Sequence, residues 1–388
     1  MKQIYFDQAA TSFPKAPGVG QTMADYLTTN GANVNRGSYA QASMAALTVL
    51  EARERLAQLF NFQEKIQQVI FTPGCTWGMN ILLQGALKPG DHVLVSSLEH
   101  NAVMRPLTAL SKKGISFTRI PANLQGETNP KDIIPLIQSN TKLVMVSHAS
   151  NVSGTIFPLE EVAKICEERN LPLAVDAAQT AGHLPLDFTA LHLAALCLPG
   201  HKGLLGPQGI GALILNKHLA ESITPIITGG TGSASDSEEQ PNYLPDKFES
   251  GTLNLPGIFG LHKALEFILK EGVARFEQKE ALLLDKFLSL LAPLPVRILG
   301  PLDAKKQVGV LALDFSPLDN GEVALRLEKE FGLMTRCGLH CAPSAHKTLG
   351  SFPQGAVRFS LGYATTEEDV EYAAKAIAKI CAQQEITK

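Results

Sequence analysis

The chain is predicted to be an α/β protein with a mostly parallel central sheet and a smaller α+β unit at its C-terminal end. Two observations carry this. The middle of the 388-residue sequence alternates short apolar or β-branched runs with amphipathic stretches, and after Pro293 a smaller strand–helix set follows. The strand-like runs are 69–71, 92–96, 116–120, 143–147, 173–176, 194–198 and 211–215. Between several of them lie helical stretches at 75–84, 103–112 and 159–170, and in the last Leu159, Val162, Ala163, Ile165 and Cys166 recur at helical spacing. Such alternation implies parallel strands covered on both faces. Ligands in such sheets sit at the carboxyl ends of the strands.

Residues 229–245, rich in Gly, Ser, Asp and Pro, break the pattern and read as a loop or an excursion from the core. A long helix is expected over 257–291, then a smaller set at 308–315, 321–331, 357–361 and 367–383. Composition fits a folded, water-facing protein, with 45% hydrophobic and 18% charged residues. A net charge of −3 offers no basic field for nucleic acid or an acidic membrane. Residues 1–12 lack the apolar core of a signal peptide, and runs such as 191–198 are too short to span a bilayer. A cytoplasmic location, with no nucleic-acid or membrane partner, is expected. Six cysteines are too sparse for a disulfide scaffold; Cys166, Cys197 and Cys381 read as buried packing thiols.

Four segments carry chemistry. In 198–207, Lys202 follows an apolar strand and enters a Gly-rich turn, which puts it at the mouth of the sheet; a solvated loop lysine is the competing reading. Asp176 closes the strand at 173–176, where it could face a cofactor's ring nitrogen or simply cap a helix. Residues 72–80 join a strand to a helix, and freed backbone N–H groups with the Thr76 hydroxyl would make an anion site there; a bare turn would look the same. In 335–343, Cys341 could be a nucleophile on a loop beside His340 and Arg336. Alternatively Cys337, His340, Cys341 and His346 form a metal cluster, although their spacing matches no usual zinc knuckle, so no metal is expected.

Taken together these segments resemble the class V aminotransferase family of pyridoxal-phosphate (PLP) enzymes, and within it the cysteine desulfurase and selenocysteine lyase branch. The likeness runs from Phe6-Asp7-Gln8-Ala9-Ala10-Thr11 to Thr366. It includes Asn33 to Gly37, Glu99-His100, His148 to Gly154, Asp176 to Gln179, Gly200-His201-Lys202, Glu249 to Asn254, Arg336 to Pro343 and Val357-Arg358-Phe359-Ser360. It implies the type I PLP-dependent transferase fold, with a large domain over 15–256 and a small domain made of 1–14 and 257–388. It also implies roles. Lys202 would hold PLP as a Schiff base and shuttle protons, and His100 would stack on the ring. Asp176 would pair the ring nitrogen, and Gln179 would face the ring hydroxyl with Asn151 nearby. Thr76, the Cys75 backbone and His201 would hold the phosphate, joined by Thr252 from the neighbouring subunit of a homodimer. Arg358 would bind the substrate carboxylate with Asn35, Arg36 and Ala10 near it, and Cys341 would take the sulfur. Three positions depart from the family wording: Pro199 stands where Ser is frequent, Cys75 where a second Thr is usual, and Asn35 where many relatives carry His.

The implied reaction converts L-cysteine, or L-selenocysteine, to alanine. It leaves a persulfide on Cys341 for a sulfur-acceptor protein or small thiol, as in sulfur metabolism and iron–sulfur cluster assembly. A selenocysteine lyase, an aminotransferase on the same fold and a non-catalytic PLP-binding regulator are the rivals.

Overall fold

The structure, a computed structural model, describes residues 2–34 and 37–386. Strand β1 (Ile4–Tyr5) and helices α1 (Val19–Asp25) and α2 (Ala40–Leu59) precede the main sheet. That sheet is built from β2 (Val69–Thr72), β3 (His92–Ser96), β4 (Ser116–Ile120), β5 (Thr141–Ser147), β6 (Leu173–Asp176), β7 (Ala195–Pro199) and β8 (Gly211–Leu215). Helices α3 (Cys75–Ala86), α4 (Asn101–Ser111), α5 (Leu159–Glu168) and α6 (Lys217–Ser222) are threaded between and after these strands. The spatial order is β2-β8-β7-β6-β5-β3-β4. The run from β7 to β4 is parallel, and β8 lies antiparallel to both of its neighbours. Every residue of β2, β3, β6, β7 and β8 is buried, as expected for strands covered on both faces, whereas the edge strand β4 is largely open.

The expected single helix over 257–291 is two, α7 (Leu255–Glu271) and α8 (Val273–Leu291), because Gly272 takes φ 83° and ends the first. Helix α7 packs on α1 and α2, and its buried face belongs to the main-sheet core. Most of the buried face of α8 belongs to a second core. Helix α7 thus sides with the main-sheet core and most of α8 with the second. The second core lies on a four-stranded antiparallel sheet, β12-β13-β10-β9. Its strands are β9 (Arg297–Leu299), β10 (Val310–Asp314), β12 (Arg336–Gly338) and β13 (Ala356–Ser360), and β11 (Leu333–Met334) pairs with β1. Helices α9 (Asn320–Phe331), α10 (Pro343–Thr348) and α11 (Glu367–Ile386) complete the unit. No helix among the described residues is long and apolar enough to cross a membrane.

The excursion after α6 returns through a buried ion pair. Glu249 takes both terminal nitrogens of Arg53 at 2.8 and 2.7 Å, and it also accepts the Phe71 N–H at 2.7 Å. The Arg53 guanidinium additionally donates to the Val69 carbonyl and lies over the Phe71 ring. Glu249→Ala would leave that guanidinium buried without its counter-charge, a loss of about 3–5 kcal/mol. Denaturant unfolding should show the midpoint falling accordingly, and an unchanged midpoint would mean that water replaces the carboxylate.

Candidate active site

The carboxyl ends of β5, β6 and β7 meet the amino end of α3 around a cleft of about 430 Å³. Asp176 is the last residue of β6, and Lys202 follows the end of β7 by one tight turn. These two charges define the cleft. Burial pulls the Lys202 ammonium down from its usual range; Asp176 opposes this, whereas Arg358 and Arg336 add to it. Burial pushes the Asp176 carboxyl up, and the Ala178 N–H, Lys202 and Cys75 hold it back. The Ala178 N–H reaches Asp176 Oδ1 at 2.8 Å. The capping reading of Asp176 is thus partly met, since one carboxylate oxygen caps the turn while the side chain lines the cleft.

At the opposite end, α3 starts after Gly74, whose extended backbone supplies no side-chain cap, so the first N–H groups face the cleft with Thr76. Strand β8 runs so close beneath this turn that a Cβ on Gly211 would lie 3.0 Å from the Gly74 Cα. The Cys75 thiol is directed toward Asp176. It donates to Asp176 Oδ1 at 3.5 Å and packs into the core, and burial raises its pKa well above the ordinary value. His100 caps α4 with Nδ1, accepting the Ala102 N–H at 3.0 Å, and burial lowers its pKa to about 4, so its ring is neutral. His201, also pushed down to about 4 by burial, shares a hydrogen with Thr11 at 3.1 Å. Gln179 lines the cleft and donates to the Ala9 carbonyl at 3.2 Å, beside Ala10. Asn151 lines it too, and its buried Oδ1 has no partner.

Arg358 lies on β13, nearly fully buried behind the cleft. It donates to Asp7 Oδ1 at 2.7 Å and to the Asn151 carbonyl at 3.0 Å, while its Nε is unpartnered. Cys341 is exposed, in a groove that shares Thr76, Asn80, His100 and Ala102 with the cleft wall. Cys337 instead packs against the second core, and burial raises its thiol. Among the described residues no three His, Cys, Asp or Glu side chains converge as a metal site. Within one chain Thr252 is not at the cleft; it lines neighbouring surface pockets with Gly251 and Leu253. Asn35 and Arg36 lie outside the described residues.

A model of the family described as aminotransferase class-V matches residues 4–373. The chain belongs to the class V aminotransferase family. A Pyrococcus abyssi protein named probable cysteine desulfurase is 33% identical over 95% of this chain and 92% of its own. One of that name from Methanothermobacter thermautotrophicus is 30% identical over 97% and 94%. The apo structure of cysteine desulfurase from Thermococcus onnurineus NA1 superposes with a TM-score of 0.92 at 31% identity, covering 98% of this chain and 95% of that one. Class V proteins are PLP enzymes of the type I fold, and the α/β architecture here is theirs.

Sequence reasoning passed over two parts of this class V site. Asp7 and its partner Arg358 are 351 residues apart, so no local spacing could pair them. Glu99, quoted only as part of a motif, is fully buried beneath Ser147 and accepts its N–H at 2.7 Å and its hydroxyl at 2.8 Å. Burial raises the Glu99 pKa from 4.5 to about 7, with Asp176 adding to the rise. The native state therefore binds more protons than the unfolded chain between these values. Its contribution is present below pH 4.5 and lost as pH rises through about 7. The melting temperature of Glu99→Gln minus that of the wild type should increase with pH across this window and then level. A difference independent of pH would show that Glu99 does not titrate there.

Proposed function

We propose that the chain is a PLP-dependent cysteine desulfurase that moves sulfur from L-cysteine to Cys341 and releases L-alanine. The observation that carries this reading is the continuity of the Lys202–Asp176 cleft with a groove walled by the exposed thiol of Cys341. An aminotransferase or a PLP-binding regulator has no use for a thiol in that place. The family relatives named cysteine desulfurase support the same activity.

The residues present fit PLP. Lys202 can hold it covalently, Asp176 can pair its ring nitrogen, and the uncapped start of α3 with Thr76 and His201 can take its phosphate. The unpartnered Oδ1 of Asn151 calls for a donor from a bound molecule. Bound PLP would supply the electron sink that stabilises negative charge at the substrate α-carbon. Neutral His100 covers the cleft without repelling the ring's positive charge. Lys202 would take the substrate α-proton, and its lowered pKa favours the neutral amine needed for that role. Arg358 would take the substrate carboxylate through its unpartnered Nε, on the side where Gln179 meets Ala9, next to Ala10. Cys341 Sγ attacks the substrate sulfur, the carbon–sulfur bond breaks, and a persulfide remains on Cys341. That sulfur then passes to an acceptor protein or a small thiol; iron–sulfur cluster assembly is the sulfur-consuming process that fits.

Purified protein should absorb as a lysine-linked PLP adduct that borohydride fixes on Lys202, and Lys202→Ala should lose the link. With L-cysteine the products should be alanine and protein-bound sulfane sulfur. Cys341→Ser should keep the cofactor spectrum yet form no persulfide and lose at least about 100-fold in turnover. Cys337→Ser should retain most activity. A keto acid as product would make the protein an aminotransferase, and a persulfide mapped to Cys337 would move the nucleophile.

The reading includes a homodimer in which Thr252 of one subunit reaches the phosphate of the other. Met44, Leu47 and Leu50 form an exposed stripe on α2, with Tyr39 exposed just before it, and Leu50 and Thr252 line the same pocket. Such a patch marks an interaction surface, and a closed pair is the usual form. Light scattering should give a dimer. Thr252→Ala should weaken PLP binding about 10-fold, the loss of one hydrogen bond to a charged group. A fully active monomer would sink this part of the reading.

A further inference from the structure

The loop that carries Cys341 turns through two consecutive left-handed residues, His340 at φ 51° and Cys341 at φ 57°. Neither is glycine, so the corner has to be held by what surrounds it. From the main-sheet side, the Asn151 amide donates to the His340 carbonyl at 2.7 Å and the Asn101 N–H donates to the Cys341 carbonyl at 2.8 Å. From the other side the corner is held by a second imidazole. The rings of His340 and His346 lie edge to edge, with centroids 5.5 Å apart and planes 23° apart, and both are buried.

The hydrogens of this pair follow from one fixed end. His340 Nε2 lies 3.1 Å from the Arg336 carbonyl, which can only accept, so that nitrogen carries the proton. His340 Nδ1 is then a bare acceptor, and His346 Nε2 at 3.3 Å must donate to it. His346 Nδ1 is bare in turn and takes the Ser351 hydroxyl at 2.7 Å. The chain Ser351 to His346 to His340 to Arg336 therefore runs in one direction with both rings neutral. Burial keeps them so, lowering His340 to about 3 and His346 to about 4. An apolar side chain would fill the space beside His340 with less desolvation cost, so the polar ring needs a reason.

We propose that His346 is a positioning residue. Acting through His340, it holds the left-handed corner that presents Cys341 to the cleft. This rests on the reading of Cys341 as the sulfur acceptor.

Two substitutions separate the donor from mere packing. His346→Gln keeps an N–H donor near the place of Nε2, and His346→Leu removes it. In His346→Leu the lysine-linked absorbance should persist and KM for L-cysteine should stay within about two-fold, while kcat and single-turnover persulfide formation fall about 10-fold, the worth of one buried hydrogen bond. Amide exchange of a peptide spanning 336–351, measured without PLP, should accelerate by a similar factor. His346→Gln should recover most of both. Should His346→Leu fail to fold, Ser351→Ala removes the donor at the far end and should lower kcat in the same direction by a smaller factor. Wild-type kcat in the leucine variant, or equal impairment in the glutamine and leucine variants, overturns the proposal. Cys341→Ser run alongside keeps the two ideas apart. Wild-type turnover there removes the nucleophile reading and this proposal with it, whereas slow turnover there with a normal leucine variant removes this proposal alone.

Discussion

Everything at the site depends on two opposite charges set near each other at the carboxyl edge of a parallel sheet, Asp176 buried and Lys202 half-buried. Lys202 and Asp176 each lose hydration, and each is held partly in its ionised form by the other. A lone charge there would be costly; a pair with added hydrogen bonds is tolerable. The strand ends supply the geometry, because β6 and β7 are adjacent and parallel and both stop at the same edge. Cys75 completes the arrangement. Where a hydroxyl is more usual, its thiol donates to Asp176, and Thr76 and the uncapped start of α3 line the other end of the cleft.

The N-terminal segment ties this edge to the smaller sheet. Phe6 packs in the second core, while the Ser12 N–H and the Lys15 ammonium both donate to the His201 carbonyl, at 2.9 Å each. That carbonyl belongs to the peptide leading into Lys202. Burial lowers the Lys15 pKa to about 8. Between these anchors Asp7 holds Arg358, so the strand that carries the guanidinium and the turn that carries the lysine are braced by the same ten or so residues. The Arg358 guanidinium and the Lys202 turn are thereby kept in one frame although they come from different cores.

The loop that carries Cys341 is a third claimant on that frame. Its carbonyls are held by Asn101 and Asn151 from the main sheet, and its imidazoles by α10 and Ser351 from the smaller unit. The asymmetry between its cysteines follows. Cys337 lies on β12 and faces the second core, whereas Cys341 lies in the left-handed corner itself and is exposed to the groove.

Local pattern alone determined the strand–helix alternation, the positions of Asp176 and Lys202 at or just past strand ends, and the turn before α3, because each is written in neighbouring residues. The long helix over 257–291 was half legible, since apolar spacing continues across Gly272 while the backbone does not. Helix α2 was not read from spacing, because exposed Met44, Leu47 and Leu50 blur its amphipathic period. Likewise β9 and β12 are too short to show a period, and they exist as strands through their partners in the smaller sheet. The order of the strands, the antiparallel placing of β8, the Asp7–Arg358 pair and the coupling of His346 to Cys341 were decided by tertiary structure only. Each joins groups distant along the chain or depends on which way a side chain turns, and neither property leaves a trace in spacing.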